Sequence, residues 1–244
     1  VLSIGTLNAM HWREYFGGEF PQSLMPSSVD NNYFQCRSEE ARAARADLQT
    51  ELKLDPSRPV ILFASKLQKR KRCEDLLEAY ERLSPAPGVD PHPYLVIVGD
   101  GEDRASLERR AANTGFDSIR FCGFRNQSDL PRFFVIATVF VLPSQQEPWG
   151  LIVNEVMNAE RAVIVSDEVG CAPDLIRDGV EGIVFPAGDV PALADALRRA
   201  LETPETANEM GQRALQRIGT WSFEEDIRGL RSAIQQAIGK TGAP

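Results

Sequence analysis

The sequence of 244 residues is short of the residues on which many sites are built: it has two histidines, His11 and His92, and four cysteines. Cys36, Cys73, Cys122 and Cys171 lie far apart with no C-x-x-C pair, which argues against zinc and reads as reduced thiols in a cytoplasmic protein. Neither histidine is assigned a role. His11 lies in the N-terminal leader, and His92, between Pro91 and Pro93, reads as an exposed loop residue. There is no long hydrophobic run. The longest, Phe133 to Leu142, is about half the length needed to cross a bilayer. Residues 1–25 lack the charged start, apolar middle and cleavage site of a secretory signal. Basic residues are also in deficit, with 27 Lys and Arg against 35 Asp and Glu and a net charge of −8. That balance argues against general nucleic-acid binding and leaves room for a local basic pocket for a small anion. Internal repeats and low-complexity tracts are missing as well.

From residue 60 onward, short β-branched runs alternate with longer amphipathic stretches. Strands are expected at Val60–Ala64, Tyr94–Val98, Ile119–Phe121, Val139–Leu142, Ala162–Val165 and Gly182–Val184. Each is nearly all apolar, the signature of a strand covered on both faces. Helices are expected between and after them, at Glu74–Leu83, Glu102–Asn113, Leu130–Ile136, Leu151–Ala159, Pro173–Arg177, Val190–Leu201 and Pro204–Ile218. A last helix, Phe223–Ile238, is capped by Ser222, and Gly239–Pro244 is a frayed end. The alternation predicts an α/β fold, a Rossmann-like open parallel sheet with helices on both faces. The leader reads differently: a short strand at Val1–Gly5, a helix at Ala9–Phe16, a turn-rich segment at Pro26–Tyr33, and one helix over Ser38–Leu52 with Ser38 as its N-cap.

In such sheets ligands bind beyond the carboxyl ends of the strands, so the loops after strands carry the search. Three qualify on chemistry. Lys66-Leu67-Gln68-Lys69-Arg70-Lys71-Arg72 holds five cations in seven residues. It is a solvated turn or a set of charge-assisted donors to a diphosphate, with a nucleic-acid patch the weaker alternative because nothing else in the chain extends it. Val98-Gly99-Asp100-Gly101 opens a helix and admits a close backbone approach, yet it is neither a dinucleotide fingerprint nor a P-loop, and a ligand-free tight turn explains it equally well. Ser144-Gln145-Gln146-Glu147-Pro148-Trp149-Gly150 leads into a helix whose free N–H groups suit an anion. Glu147 and Glu155 reach one ligand only if Glu147 lies just before that helix. A carboxylate beside a phosphate would be repelled, so each should instead accept from neutral hydroxyls of sugar or ribose.

The segment Glu147-Pro-Trp-Gly-Leu-Ile-Val-Asn-Glu155 resembles the Glu-x7-Glu motif of retaining glycosyltransferases of family 4, within the glycosyl transferases group 1. Phe63-Ala-Ser-Lys66-Leu followed by Lys71 is similar to that family's phosphate-binding segment, Ile97-Val-Gly-Asp-Gly101 to its strand and turn, and Phe121-Cys-Gly123-Phe to its base-side loop. Val139-Phe-Val-Leu-Pro-Ser144 leads into the acidic motif as it does there. Pro26-Ser-Ser-Val-Asp30, with Phe34 beyond it, resembles the interdomain segment.

The resemblance implies the C-terminal half of a two-domain, GT-B arrangement that binds a nucleotide diphosphate sugar. It implies Lys66 and Lys71 on the diphosphate, where they would stabilise the leaving group in place of a metal, with no cofactor expected. It implies the Gly150 and Leu151 backbone on a phosphate, Glu147 on donor-sugar hydroxyls, Glu155 on the ribose, and the backbone of Gly123 and Phe124 flanking the base. Ser144, Trp149 and Ile152 also fall at the donor. Residues 1–37 are then the tail of a missing acceptor domain and interdomain linker, 38–221 the donor-binding domain, and 222–244 a helix packing back towards the N-terminal half. Transfer would retain configuration, and this piece alone would transfer sugar poorly or not at all. The expected location is the cytoplasm, peripheral to the inner face of the membrane in the full-length enzyme.

Two departures stand out within the piece: Lys66 replaces an arginine, and Glu160 replaces the glycine that ends the motif helix. A non-catalytic nucleotide-sugar-binding or assembly module is the alternative from another class, and a sugar-nucleotide epimerase a third reading.

Overall fold

The runs of consecutive apolar residues are consecutive strands because a strand buried on both faces has no use for alternation. The structure, a computed structural model, describes residues 1–17, 20–83 and 92–240. The leader comprises β1 (Leu2–Ser3), α1 (Thr6–Phe16), β2 (Ser23–Leu24), α2 (Asn31–Ala43) and α3 (Arg45–Glu51). Then follow β3 (Val60–Ala64), α4 (Cys73–Glu81), β4 (Tyr94–Val98), α5 (Arg104–Thr114), β5 (Ile119–Phe121) and α6 (Leu130–Ile136). The second half runs β6 (Val139–Leu142), α7 (Leu151–Met157), β7 (Ala162–Ser166), α8 (Ala172–Leu175), β8 (Gly182–Phe185), α9 (Val190–Ala200), α10 (Pro204–Ile218) and α11 (Phe223–Lys240).

Among the described residues, six parallel strands form one sheet in the order β5-β4-β3-β6-β7-β8. The chain moves outward from β3 to β5 and then returns to lay β6 on the other side of β3. The strand order therefore reverses between β3 and β6, where an open parallel sheet leaves a crevice at its carboxyl edge.

Strand residues divide by parity. Ile61, Phe63, Leu95, Ile97, Val139 and Val141 face α4, α5 and α9, while Val60, Leu62, Val96, Phe140 and Leu142 face the opposite layer with α6, α7 and α10. Each of the largest of these side chains contributes about 1.5–3 kcal/mol through burial. β5 is only half-buried, as befits its place at the sheet edge.

The leader departs from expectation. The helix expected over Ser38–Leu52 is two, and the first begins at Asn31, inside the segment read as turns. Its N-cap is Asp30, whose carboxylate accepts from the Tyr33 N–H at 2.9 Å. Ser38 lies in mid-helix and is buried, so it caps nothing. The chain breaks at Ala44, and α2 and α3 both pack on α6. Val29 and Phe34 join the same apolar layer. At the other end Ser222 caps α11 reciprocally: its hydroxyl accepts from Glu224 N–H at 3.2 Å, and Glu225 accepts from Ser222 N–H at 3.0 Å. The frayed end expected at Gly239–Pro244 lies largely outside the described residues.

His92 is buried rather than exposed, with ring centroids 4.5 Å from Tyr80 and 4.4 Å from Phe116. Two aromatic walls hold the imidazole inside, and burial pushes its pKa below the ordinary value.

The turn after α7 does form without its glycine. Glu160 takes the left-handed conformation at φ 62°, and its carboxylate pairs with Arg42 of α2 at 2.8 Å. That backbone costs a non-glycine residue about 1–2 kcal/mol, while an ion pair this exposed returns less than about 1 kcal/mol. Glu160→Gly and Glu160→Ala both delete the pair and differ in the backbone. The glycine variant should be the more stable by about 1 kcal/mol in urea unfolding. Equal stabilities would show that the turn carries no strain.

Candidate functional site

The loops after β3, β4 and β5 are stitched together before any ligand is considered. Leu67 N–H donates to Asp100 O at 2.9 Å, Asp103 N–H to Leu67 O at 3.1 Å, and Gly99 N–H to Gly123 O at 2.8 Å. This explains the glycines after β4. A Cβ at Gly99 would stand 1.9 Å from Ser65 O, and one at Gly101 2.2 Å from Leu67 O. The close approach they permit is therefore of one loop's backbone to another, which answers the open question about that turn.

Across the reversal of strand order, Gln145 N–H donates to Arg70 O at 2.7 Å and ties the loop after β6 to the basic turn. The basic turn is a short 3-10 helix, Lys69–Lys71, closed by Arg72 in the left-handed conformation at φ 51°. It turns Lys71 inward, where its ammonium is buried and bonded to the Glu147 carboxylate. Arg70, nearly half exposed, donates to the same carboxylate at 3.2 Å. Glu147 is held from the far side as well, since its N–H donates to Glu168 O at 3.1 Å and its carbonyl accepts from Gly170 at 2.8 Å. It lies three residues before the left-handed Gly150 that opens α7, and no side chain caps that helix start. Val153 N–H bonds back to the Gly150 carbonyl at 2.8 Å, which leaves the N–H groups of Leu151 and Ile152 as the ones in the first turn without a partner among the described residues.

A cleft of about 400 Å³ opens at the same carboxyl edge of the sheet, and none of Arg70, Lys71 and Glu147 is among its lining residues. Of the residues expected at the site, Lys66, Phe124 and Ile152 line it, together with Ser65, Gly99, Asp100, Arg125 and Leu130. Lys66 and Phe124 are exposed on its rim. Glu155 follows Ile152 by three positions and so shares its helix face. It is buried, and its carboxylate accepts from Gln127 Nε2 at 2.6 Å, across from the loop after β5. Burial pushes the Glu155 carboxyl above its ordinary pKa, and the Gln127 amide partly offsets this.

Gly123 turns that loop with φ 68°. Ser144 is fully buried beside the cluster, its carbonyl accepting from the Ser166 hydroxyl. Trp149 does not face the cleft with its side chain. The indole is buried in a stack with Trp221, centroids 5.7 Å apart. Leu151 points outward from the first turn.

Four further residues join the site without having been singled out. Arg70 was hidden among five neighbouring cations. Arg125, Gln127 and Leu130 lie on or just past the loop after β5, which has no composition shift to mark it. Its position past the carboxyl end of a strand was the available signal. Arg125 is half-buried, with a buried Nε that finds no partner among the described residues.

Residues 44–217 match the family model described as Glycosyl transferases group 1. The chain belongs to that family. Among curated group 1 relatives it is 33% identical over 181 residues to alpha-D-kanosaminyltransferase of Streptomyces kanamyceticus, covering 74% of this chain and 46% of that protein. It is 27% identical over 240 residues to a D-inositol 3-phosphate glycosyltransferase of Segniliparus rotundus, covering 95% and 51%. The chain thus spans about half the length of the curated relatives it matches.

Among solved structures, Anabaena HepE in complex with UDP superposes with a TM-score of 0.78 at 17% identity, covering 98% of this chain and 63% of that one. The C-terminal domain of a group 1 glycosyl transferase of Francisella tularensis gives 0.61 at 22% identity, covering 70% and 91%. The fold is the open parallel α/β sheet that the alternation of strands and helices predicts, and the GT-B half that the family resemblance implies. Among the described residues no helix is long and apolar enough to cross a membrane.

Because the Glu155 carboxyl is raised by burial, its ionised form costs folding free energy at neutral pH. Glu155→Gln keeps an acceptor for Gln127 and sheds the buried charge. This variant should be more stable than the parent at pH 7. The gain should fade as pH falls towards 4, where the carboxyl is protonated in folded and unfolded chains alike. Urea unfolding at both pH values checks this, and a destabilised variant at pH 7 would contradict it.

Proposed function

We propose that this chain is the donor-binding half of a retaining, family 4 glycosyltransferase, and that the cleft and the Lys71–Glu147 cluster together hold a nucleotide diphosphate sugar. The observation that carries this reading is two cations, Lys71 and Arg70, on one carboxylate beside an uncapped helix start. The turn that carries them, residues 66–72, holds five cations in a protein of net charge −8. Its complement is an anion in the crevice, and the diphosphate fits. An ammonium has three donors, so Lys71 can keep Glu147 and still donate to a phosphate oxygen. Lys66, on the rim, would meet the other phosphate. As the glycosidic bond breaks, these cations would stabilise the departing diphosphate, with no metal required.

Glu147, already neutralised on one side, would accept from sugar hydroxyls. Glu155 would take the ribose in place of the Gln127 amide, with the base lying between Phe124 and Ile152 near Gly123. A solved neighbour that binds UDP-glucose supports this class of ligand.

We further propose a division into linker, donor-binding domain to residue 221 and C-terminal helix 222–244, with the acceptor half preceding this chain; α2 (Asn31–Ala43) runs through position 37, so the first boundary falls ahead of Asn31 rather than at 37. The exposed stripe of Phe223, Ile227, Leu230 and Ile234 along α11 supports a covering partner there.

A thermal-shift panel of uridine, guanosine and adenosine diphosphates, with and without magnesium, tests the reading. The matching nucleotide at 100 times its dissociation constant should add about 2.7 kcal/mol of stability without magnesium. Lys71→Ala should weaken its binding by about 1.5–3 kcal/mol. No shift with any base, or an unchanged affinity in the folded variant, would defeat the proposal.

A further inference from the structure

The hidden side of α7 carries two amides where an apolar helix would want none. Asn154 and Asn158 are four residues apart, share a face, and are both buried among Val153, Val156 and Met157. An amide there costs free energy unless its groups are bonded, and these are. Asn158 donates to Asn31 Oδ1 at 2.8 Å and accepts from Gln35 at 2.8 Å, both on α2. Asn154 accepts from the Trp149 indole N–H at 3.0 Å and donates to the Ser27 carbonyl at 3.1 Å. The same carbonyl accepts from the Trp221 indole at 3.2 Å, and Gly5 lies against the Trp149 ring. Trp149 stands between Glu147 and Gly150. Its indole therefore anchors the very turn that presents Glu147 and opens α7.

We propose that Asn154 is a positioning residue for the donor site. It fastens the Trp149 indole to the Ser27 carbonyl of the leader and so sets the Glu147-to-Gly150 turn against Lys71. Leucine would fill the same space without direction, whereas an amide that accepts on one side and donates on the other fixes both partners. The inference rests on the donor reading above and adds to it that the leader is structurally part of the donor site.

Calorimetric titration of the whole chain with UDP, GDP and ADP, and with uridine, guanosine and adenosine, tests it. Asn154→Leu should weaken the diphosphate that the parent binds about tenfold, because the turn under the phosphate and sugar is displaced. The matching nucleoside, which relies on Glu155 and the loop after β5, should change less than about twofold, since no partner of its own is lost. Trp149→Phe keeps an aromatic ring against Trp221 and deletes the N–H, and should show the same split. The double variant should be little worse than Asn154→Leu alone, because the Trp149–Asn154 hydrogen bond is already cut in that variant.

Unchanged diphosphate affinity in folded variants, or equal losses for nucleoside and diphosphate, would overturn the proposal and leave Asn154 a structural residue. Should Asn154→Leu not fold, Trp149→Phe decides alone. A parent chain that binds none of the three diphosphates would remove the donor reading itself, a failure visible before any variant is made.

Discussion

The buried ammonium of Lys71 against the Glu147 carboxylate is the interaction around which the carboxyl edge of the sheet is arranged. Taking either charge out of water alone would cost several kcal/mol, so each requires the other, and the two loops that carry them must meet. They meet because β3 and β6 are neighbours although α4, β4, α5, β5 and α6 separate them in the chain. The left-handed Arg72 closes the basic turn that aims Lys71 inward, and Gln145 bonds to the Arg70 carbonyl to bring Glu147 into range. Arg70 adds a second cation from the solvent side, and the Glu168 carboxylate, accepting from the Gln146 N–H at 2.9 Å, adds a second anion next to Glu147.

That cluster stands on a seam of backbone contacts. Ser65–Leu67, Val98–Gly101 and Gly123 interlock through N–H and carbonyl groups, and side chains at positions 99 and 101 would separate them. The glycines that look like a ligand cradle in the sequence thus serve the geometry one step removed: they let the basic turn sit low enough for Lys66 to line the cleft. Phosphate-binding loops and loop-to-loop packing call for the same residue for the same steric reason, which is why the two cannot be told apart before the chain is folded.

The six main strands were legible almost residue by residue, because doubly covered strands must be apolar runs and little else in this composition is. The helices between them followed from spacing. The leader was harder. Its helix start depends on Asp30, one acidic side chain in a stretch rich in Pro, Ser and Asn, while Ser38 ahead of Glu39 and Glu40 offers the same local chemistry and is overruled by packing on α6. His92 was misplaced because flanking prolines speak of a loop, whereas burial was decided by Tyr80 and Phe116, distant in sequence. At the site, Glu147, Lys66 and Lys71 stood out through charge after strands, but the side chain of Trp149 was drawn into the core by Trp221, 72 positions away in the chain. Long-range partners of this kind leave no mark on local pattern.

The amides by which α7 bonds the leader bear on what the fold is for. A chain under selection for stability alone would do better with apolar residues at 154 and 158 and with glutamine at 155, since buried polar groups at best break even and a buried carboxylate does not. All three polar choices fall on one short helix, with the carboxylate towards the cleft and the amides towards Ser27, Asn31 and Gln35. The helix is therefore held from behind by directional bonds while its front carries an incompletely neutralised charge. A displacement of the leader must stretch the bonds at Ser27 and Asn31 before it disturbs any apolar contact, because hydrogen bonds lose strength with angle and distance far more steeply than surface burial does. The acidic turn is consequently held from two sides, its backbone by the loop after β7 through Glu168, Gly170 and Cys171, and the Trp149 indole by the leader through Asn154 and Ser27.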